Sequence, residues 1–185
     1  MEKANTVYNK EGDTVLIEIK LKSLKQLYNS YDPAPFLEKD LDDDAVDYIV
    51  SSVKEFSLKT KHKLVLYFPK HIKKKIHPTD LITGIHTFFD YRRIVTMKRL
   101  TEILNEARSK SLIAFLFLFI CLLAAERLSH YEGIFSTLVS EGFIITGWVA
   151  MWRPLDAILY DWLPVRHNAK VYEKISKMDI QVIYD

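Results

Sequence analysis

The run from Ser111 to Ala125, SLIAFLFLFICLLAA, carries no charged side chain, and no other feature constrains the fold of this chain as strongly. Extended through Glu126, Arg127 and Leu128, it reaches the roughly 18 residues that a bilayer-spanning helix needs. A second run, Ile134 to Trp152 (IFSTLVSEGFIITGWVAMW), approaches the roughly 20 residues of a full span and holds one acid, Glu141. The competing reading is a helical hairpin buried inside a soluble protein. With 185 residues the chain has too little domain left to surround so apolar a core. The spacing therefore predicts a transmembrane hairpin over residues 110–153.

The flanks predict its orientation, because loops rich in Lys and Arg stay on the cytoplasmic side. Arg92, Arg93, Lys98, Arg99, Arg108 and Lys110 precede the first run, and Arg153, Arg166, Lys170, Lys174 and Lys177 follow the second. The linker between them offers only Arg127. Both termini are expected in the cytoplasm, with the chain a multi-pass protein of the cytoplasmic (inner) membrane. Trp148, Trp152, Tyr160 and Trp162 gather at the inner end of the second run, where amphipathic rings prefer the headgroup level. Arg153-Pro154 predicts a change of direction, since proline has no N–H to donate but suits the first turn of a new helix. PLDAILYDWL is then expected as a short interfacial helix.

The rest predicts one small α/β domain over residues 1–109, joined by residues 154–185 returning to it. TVLIEIKLK alternates with Val15, Ile17, Ile19 and Leu21 on one face, the mark of a half-buried strand. Ser23 and Gln26 have capping-box spacing and predict a short helix. Asp40 or Asp42 can cap another, with an apolar stripe of Ala45, Tyr48, Ile49, Ser52, Val53 and Phe56. KLVLYFP is apolar on both faces, which suits a central strand. From Asp80 to Lys110 the apolar spacing is helical and runs on into the first span. DIQVIYD reads as a third strand, expected to return to the same sheet because a lone two-stranded ribbon is only marginally stable.

Three stretches together, YDPAPFLEKDLDDDAVDYIV (Tyr31 to Val50), GWVAMWRPLDAILYDWLP (Gly147 to Pro164) and VRHNAKVYEKISKMDIQV (Val165 to Val182), carry a resemblance. The chain resembles a family of small bacterial integral membrane proteins with two transmembrane helices and a small cytoplasmic α/β domain. That family has no assigned activity, so the resemblance implies an inner-membrane location and this architecture, and no catalytic residue.

Chemistry-bearing residues are sparse. Glu141 stands out, because an ionisable group within a span is costly and often marks a pathway or a helix partner; Arg127 is its candidate counter-charge. Asp40, Asp42, Asp43, Asp44 and Asp47 are better read as a capped, solvated helix start than as a calcium loop, since the glycine and terminal glutamate of an EF-hand are missing. His62, His71, His77, His86, His130 and His167 fall at no metal-ligand spacing, and the single cysteine, Cys121, excludes a disulfide or a Cys-based zinc site within one chain. No cofactor or metal is expected. The familiar glycine-rich and nucleophile motifs are missing from a chain with five glycines, which makes an enzyme the minority reading. The stretch from Met1 to Thr6 has no charged region followed by apolar residues, so no signal peptide is expected. Lys70, Lys73, Lys74 and Lys75, with Arg153 and Arg166, are candidate contacts to anionic headgroups.

These residues predict a membrane-anchored scaffold or regulatory interaction subunit, with the bilayer and either further copies or a larger complex as partners. Nucleic acid and small-molecule ligands are not expected. The alternative is a homo-oligomeric channel or transport component with Glu141 near the pathway.

Overall fold

The computed structural model describes residues 8–35, 38–74 and 77–185. Met1 to Thr6, on which the no-leader reading rests, lie outside the described residues, as do Lys75 and the side chain of Lys74. The chain divides into two compact units, Met1–Val95 with His167–Asp185, and Thr96–Arg166.

The first unit is an α/β fold on a mixed sheet. Its strands are β1 (Lys10–Glu11), β2 (Thr14–Lys20), β3 (Lys61–Phe68) and β4 (Asp179–Tyr184), lying in the order β1-β2-β3-β4. β1 pairs antiparallel with β2, whereas β2–β3 and β3–β4 are parallel, with Ile17 opposite Leu64 and Leu64 opposite Ile180. Among the described residues the sheet thus has four strands rather than the expected three. The extra strand is two residues long, too short to show a period. A two-residue loop, Gly12-Asp13, turns it into β2 with Gly12 at φ 60°, a backbone conformation glycine adopts without steric cost.

The helix α1 (Asp43–Lys54) starts where the carboxylate of Asp42 accepts the Asp44 N–H at 3.1 Å, and Asp43 and Asp44 complement the dipole of its first turn. Val46 and Val50 are buried on its inner face, while Tyr48, expected in the stripe, is exposed. The capping box at Ser23 does not form. Leu24–Gln26 is a single 3-10 turn in which Gln26 reaches back to the Lys22 N–H at 2.7 Å.

The helix α2 (Pro78–Ser129) is continuous over 52 residues, as the uninterrupted apolar spacing predicts. Leu81, Ile85 and Phe89 on its first turns are buried in one core with Ile17, Leu64, Leu66 and Phe68 of the sheet and with Val171 and Ile175. Those last two belong to α4 (Trp162–Ile175), which leads into β4. Phe89 contacts Tyr172 of α4 with ring centroids 6.2 Å apart, and His86 Nε2 lies 2.9 Å from the Met178 carbonyl. The long connection between the neighbouring parallel strands β3 and β4 therefore contains α2, α3 (Ile134–Asp156) and α4.

In the second unit α2 and α3 form a helical pair. Pro154 does not end the second apolar helix, contrary to the expected change of direction. α3 runs through it to Asp156 and continues as a π-helical turn, Ala157–Asp161, into α4. Proline removes one backbone donor, but the ladder resumes just beyond it, where the Ala157 N–H donates to the Arg153 and Pro154 carbonyls, and the helix carries on.

Candidate functional site

Two helical paths, Pro78–Ser129 and Ile134–Ile175, are long and apolar enough to cross a membrane. Within their most apolar 18-residue windows only 22% and 11% of residues are buried, whereas a core helix of a soluble protein hides most of such a window. Leu112, Ile113, Phe115, Phe119, Ile120, Ile145 and Val149 are all exposed.

The small residues of these helices face each other. Ala107, Ala114, Cys121 and Ala125 are buried on α2, and Ser140, Gly147 and Pro154 are buried on α3. Most of these positions recur every seven residues, the repeat that keeps one helix face on its partner. Ser140 Oγ donates to the Ala125 carbonyl at 3.0 Å. A Cβ on Gly147 would sit 2.8 Å from Leu118 Cδ1 and 3.1 Å from Cys121 Cβ, whereas one on Gly142 would meet nothing within 4 Å. The two glycines should therefore respond oppositely to alanine. Gly142→Ala is expected to raise the thermal midpoint of the purified protein in mild detergent slightly, since alanine is favoured over glycine in a helix by about 0.5–1 kcal/mol. Gly147→Ala should lower it by overpacking worth about 1–3 kcal/mol, and Gly147→Leu should lower it further. Equal midpoints for the two alanine variants would remove the close contact at Gly147.

Glu141 follows Ser140 and is exposed, on the side of α3 turned away from that seam, where it lines a shallow hollow with Gly133, Ile134, Thr137 and Leu138. Arg127 is also exposed, and among the described residues no ion pair joins it to Glu141. Glu126 is instead 3.9 Å from His130 one turn further on.

The remaining sequence candidates divide between the units. Lys70 and Lys73 are exposed on the 3-10 turn after β3, where the Lys73 ammonium lies 5.9 Å from the Tyr184 ring centroid. Trp148, Trp152 and Tyr160 are exposed on the second unit. The indole N–H of Trp162 donates to the Ile158 carbonyl at 2.8 Å, and Arg166 stacks over its ring at 5.5 Å. Arg153 pairs with Asp161 at 3.6 Å.

That last pair opens onto a cavity of about 340 Å³ that sequence reasoning missed. Across it lie Glu106 and Lys110 of α2, themselves joined at 2.7 Å, and its floor includes the buried Ala107 and Pro154. The local cause lies in the π turn. Residues eight apart on an α-helix are offset by roughly 80° around the axis. The wider turn over Ala157–Asp161 advances less per residue and takes up most of that offset, bringing Asp161 round to the face of Arg153. The only sequence signal was an acid one helical turn before Lys110, the last cation ahead of the charge-free run. Two cations and two carboxylates around one cavity can hold a ligand carrying both signs of charge. No protein-family model, curated protein or solved structure matches the chain.

Proposed function

We propose that the chain is a membrane-anchored scaffold or interaction subunit, whose two apolar helices hold the α/β unit at the cytoplasmic face of a bilayer. The bacterial inner membrane is the location that the resemblance in its sequence suggests. The sheet topology carries the reading. β3 and β4 are adjacent and parallel, and both apolar helices lie in the connection between them. A chain that leaves a sheet and must rejoin it crosses a bilayer an even number of times, so two spans suit this connection. The flanking Lys and Arg residues then favour the cytoplasmic side for the sheet.

A scaffold role gains support from a hollow of about 380 Å³ in the first unit, where three acids, Asp32, Glu38 and Asp40, outnumber the one lysine, Lys39, beside Phe88 and Tyr91. Carboxylates around an aromatic wall suit a basic segment of a partner protein. The Asp32 carboxyl is held below the usual range by the backbone N–H groups of Asp40 and Ala34, so this surface is anionic at neutral pH. Glu141 fits an outer-interface role better than a conduction pathway. Its neighbour Ser140 bonds Ala125, four residues before α2 ends at Ser129, or roughly 6 Å along the axis.

Cysteine labelling tests this topology in a Cys121→Ala background. Tyr131→Cys, in the turn between the helices, should react with a membrane-impermeant maleimide added outside intact cells. Lys177→Cys, in the α/β unit, should react only after permeabilisation. Labelling of both from the same side would reject the anchored arrangement.

A further inference from the structure

We infer that the cavity between Lys110 and Arg153 is a phospholipid headgroup site, selective for a headgroup that joins a phosphodiester to an ammonium. The inference rests on the membrane reading proposed above and adds a ligand to it. Lys110 immediately precedes the first apolar run and Arg153 immediately follows the second. Both therefore stand at the inner headgroup level, where basic pockets between spanning helices meet lipid phosphates. Trp152 and Tyr160, exposed nearby in sequence, are the ring types that occupy that level.

The charge balance sets the selectivity. Arg153 and Lys110 offer guanidinium and ammonium donors to a phosphate, but Asp161 and Glu106 lie 3.6 Å and 2.7 Å from them. A purely anionic headgroup would meet two carboxylates as well as two cations. A zwitterionic one satisfies both halves, its phosphate on the Arg153–Lys110 side and its ammonium on the Asp161–Glu106 side. Exchange of the two exposed protein ion pairs for these contacts forfeits little, because exposed pairs are individually weak. The cavity, at about 340 Å³, is at the small end of the roughly 300–1,000 Å³ typical of ligand sites and is lined by Ala107, Pro154 and Ala157, which leave the room.

Native mass spectrometry of the full-length protein in mild detergent tests the site, with dioleoylphosphatidylethanolamine, dioleoylphosphatidylglycerol and free phosphoethanolamine as probes. One molecule of the ethanolamine lipid should bind in preference to the glycerol lipid. Lys110→Gln with Arg153→Gln should weaken binding of both lipids by roughly fivefold per charge removed, as for charges at a membrane surface. Glu106→Gln with Asp161→Asn should abolish or reverse the preference, and Arg127→Gln, remote at the far end of α2, should change nothing. Equal binding of the two lipids to the wild type, or an unchanged preference in the Glu106/Asp161 variant, would overturn the inference. Free phosphoethanolamine competing as well as the whole lipid would replace it with a soluble ligand. Alkaline carbonate washing of membranes separates the two levels. Release of the protein would overturn the membrane reading and this site together, whereas retention without lipid preference would overturn the site alone.

Discussion

Phe89→Ala is expected to destabilise the α/β unit by about 3–5 kcal/mol, the cost of emptying a buried phenylalanine site that cannot collapse. Phe89 is fully buried, 5.3 Å edge-to-face from Phe88 and 6.2 Å from Tyr172. It belongs to the helix that leads out of the sheet toward the apolar segments, and Tyr172 belongs to the helix that leads back. The neighbours are carried by two helices already bound to the sheet through Ile85 and Ile175, which limits relaxation into the gap. Because the chain has two compact units, local stability is the quantity to follow, by amide exchange of Leu64 to Leu66 in β3. Exchange there should accelerate by roughly two to three decades or more. Tyr31→Ala, at a side chain 96% exposed, should leave it unchanged within about 0.5 kcal/mol. An effect of Phe89→Ala as small as that control would mean that this ring does not clamp the two helices.

Acid should weaken the same unit through His62. Its ring is only 6% exposed, packs edge-on to Phe56 at 5.4 Å, and has Nδ1 at 3.0 Å from the Thr60 carbonyl. The Nδ1–H donates there and leaves Nε2 buried without a partner among the described residues. Burial, with a smaller contribution from the nearby Lys174 ammonium, pushes the histidine down to about 4, although the Thr60 carbonyl opposes the shift. Lys174 itself donates to the Thr60 and Ser57 carbonyls at 2.6 Å and 3.4 Å, and its own desolvation lowers its pKa. The folded pKa of His62 lies below the unfolded one, so the unfolded chain takes the proton first. Stability is full above about pH 6.5 and falls as pH drops to about 4, by on the order of 3 kcal/mol in total. Asp32 acts in a separate, more acidic window: its folded pKa is depressed, so its stabilisation is lost only as carboxylates protonate. Urea midpoints measured across this range should slope with uptake of about one proton on unfolding. His62→Asn, whose amide nitrogen can retain the bond to Thr60, should flatten that slope and leave the Asp32 window. A wild-type midpoint that is level down to about pH 5 would show that His62 titrates normally.

What was legible in the chain was what a short window of side chains encodes. Val15 and Ile17 alternate into the core as the TVLIEIK pattern requires, and KLVLYF occupies the strand paired on both edges. Asp42 caps α1 because a side-chain oxygen and a free N–H two residues on are local chemistry. Pro154 misled because local chemistry assigns proline to a break, whereas the backbone ladder resumes just beyond it and the helix continues. Gly147 and Gly142 are indistinguishable in sequence. Only the partner helix crowds one of them, through Leu118 and Cys121.

The sequence by itself determined the two apolar lengths, their charged borders and the positions of the longer strands, because each depends on periodicity and composition within a few turns. Tertiary structure alone decided that a two-residue strand would complete the sheet, that β4 would lie parallel beside β3, and that Glu106, Lys110, Arg153 and Asp161 would share one cavity. The last two join residues tens of positions apart, and such pairings are selected by the packing and hydrogen bonding of the whole chain, whereas β1 meets β2 only a few positions on but is too short to show a period.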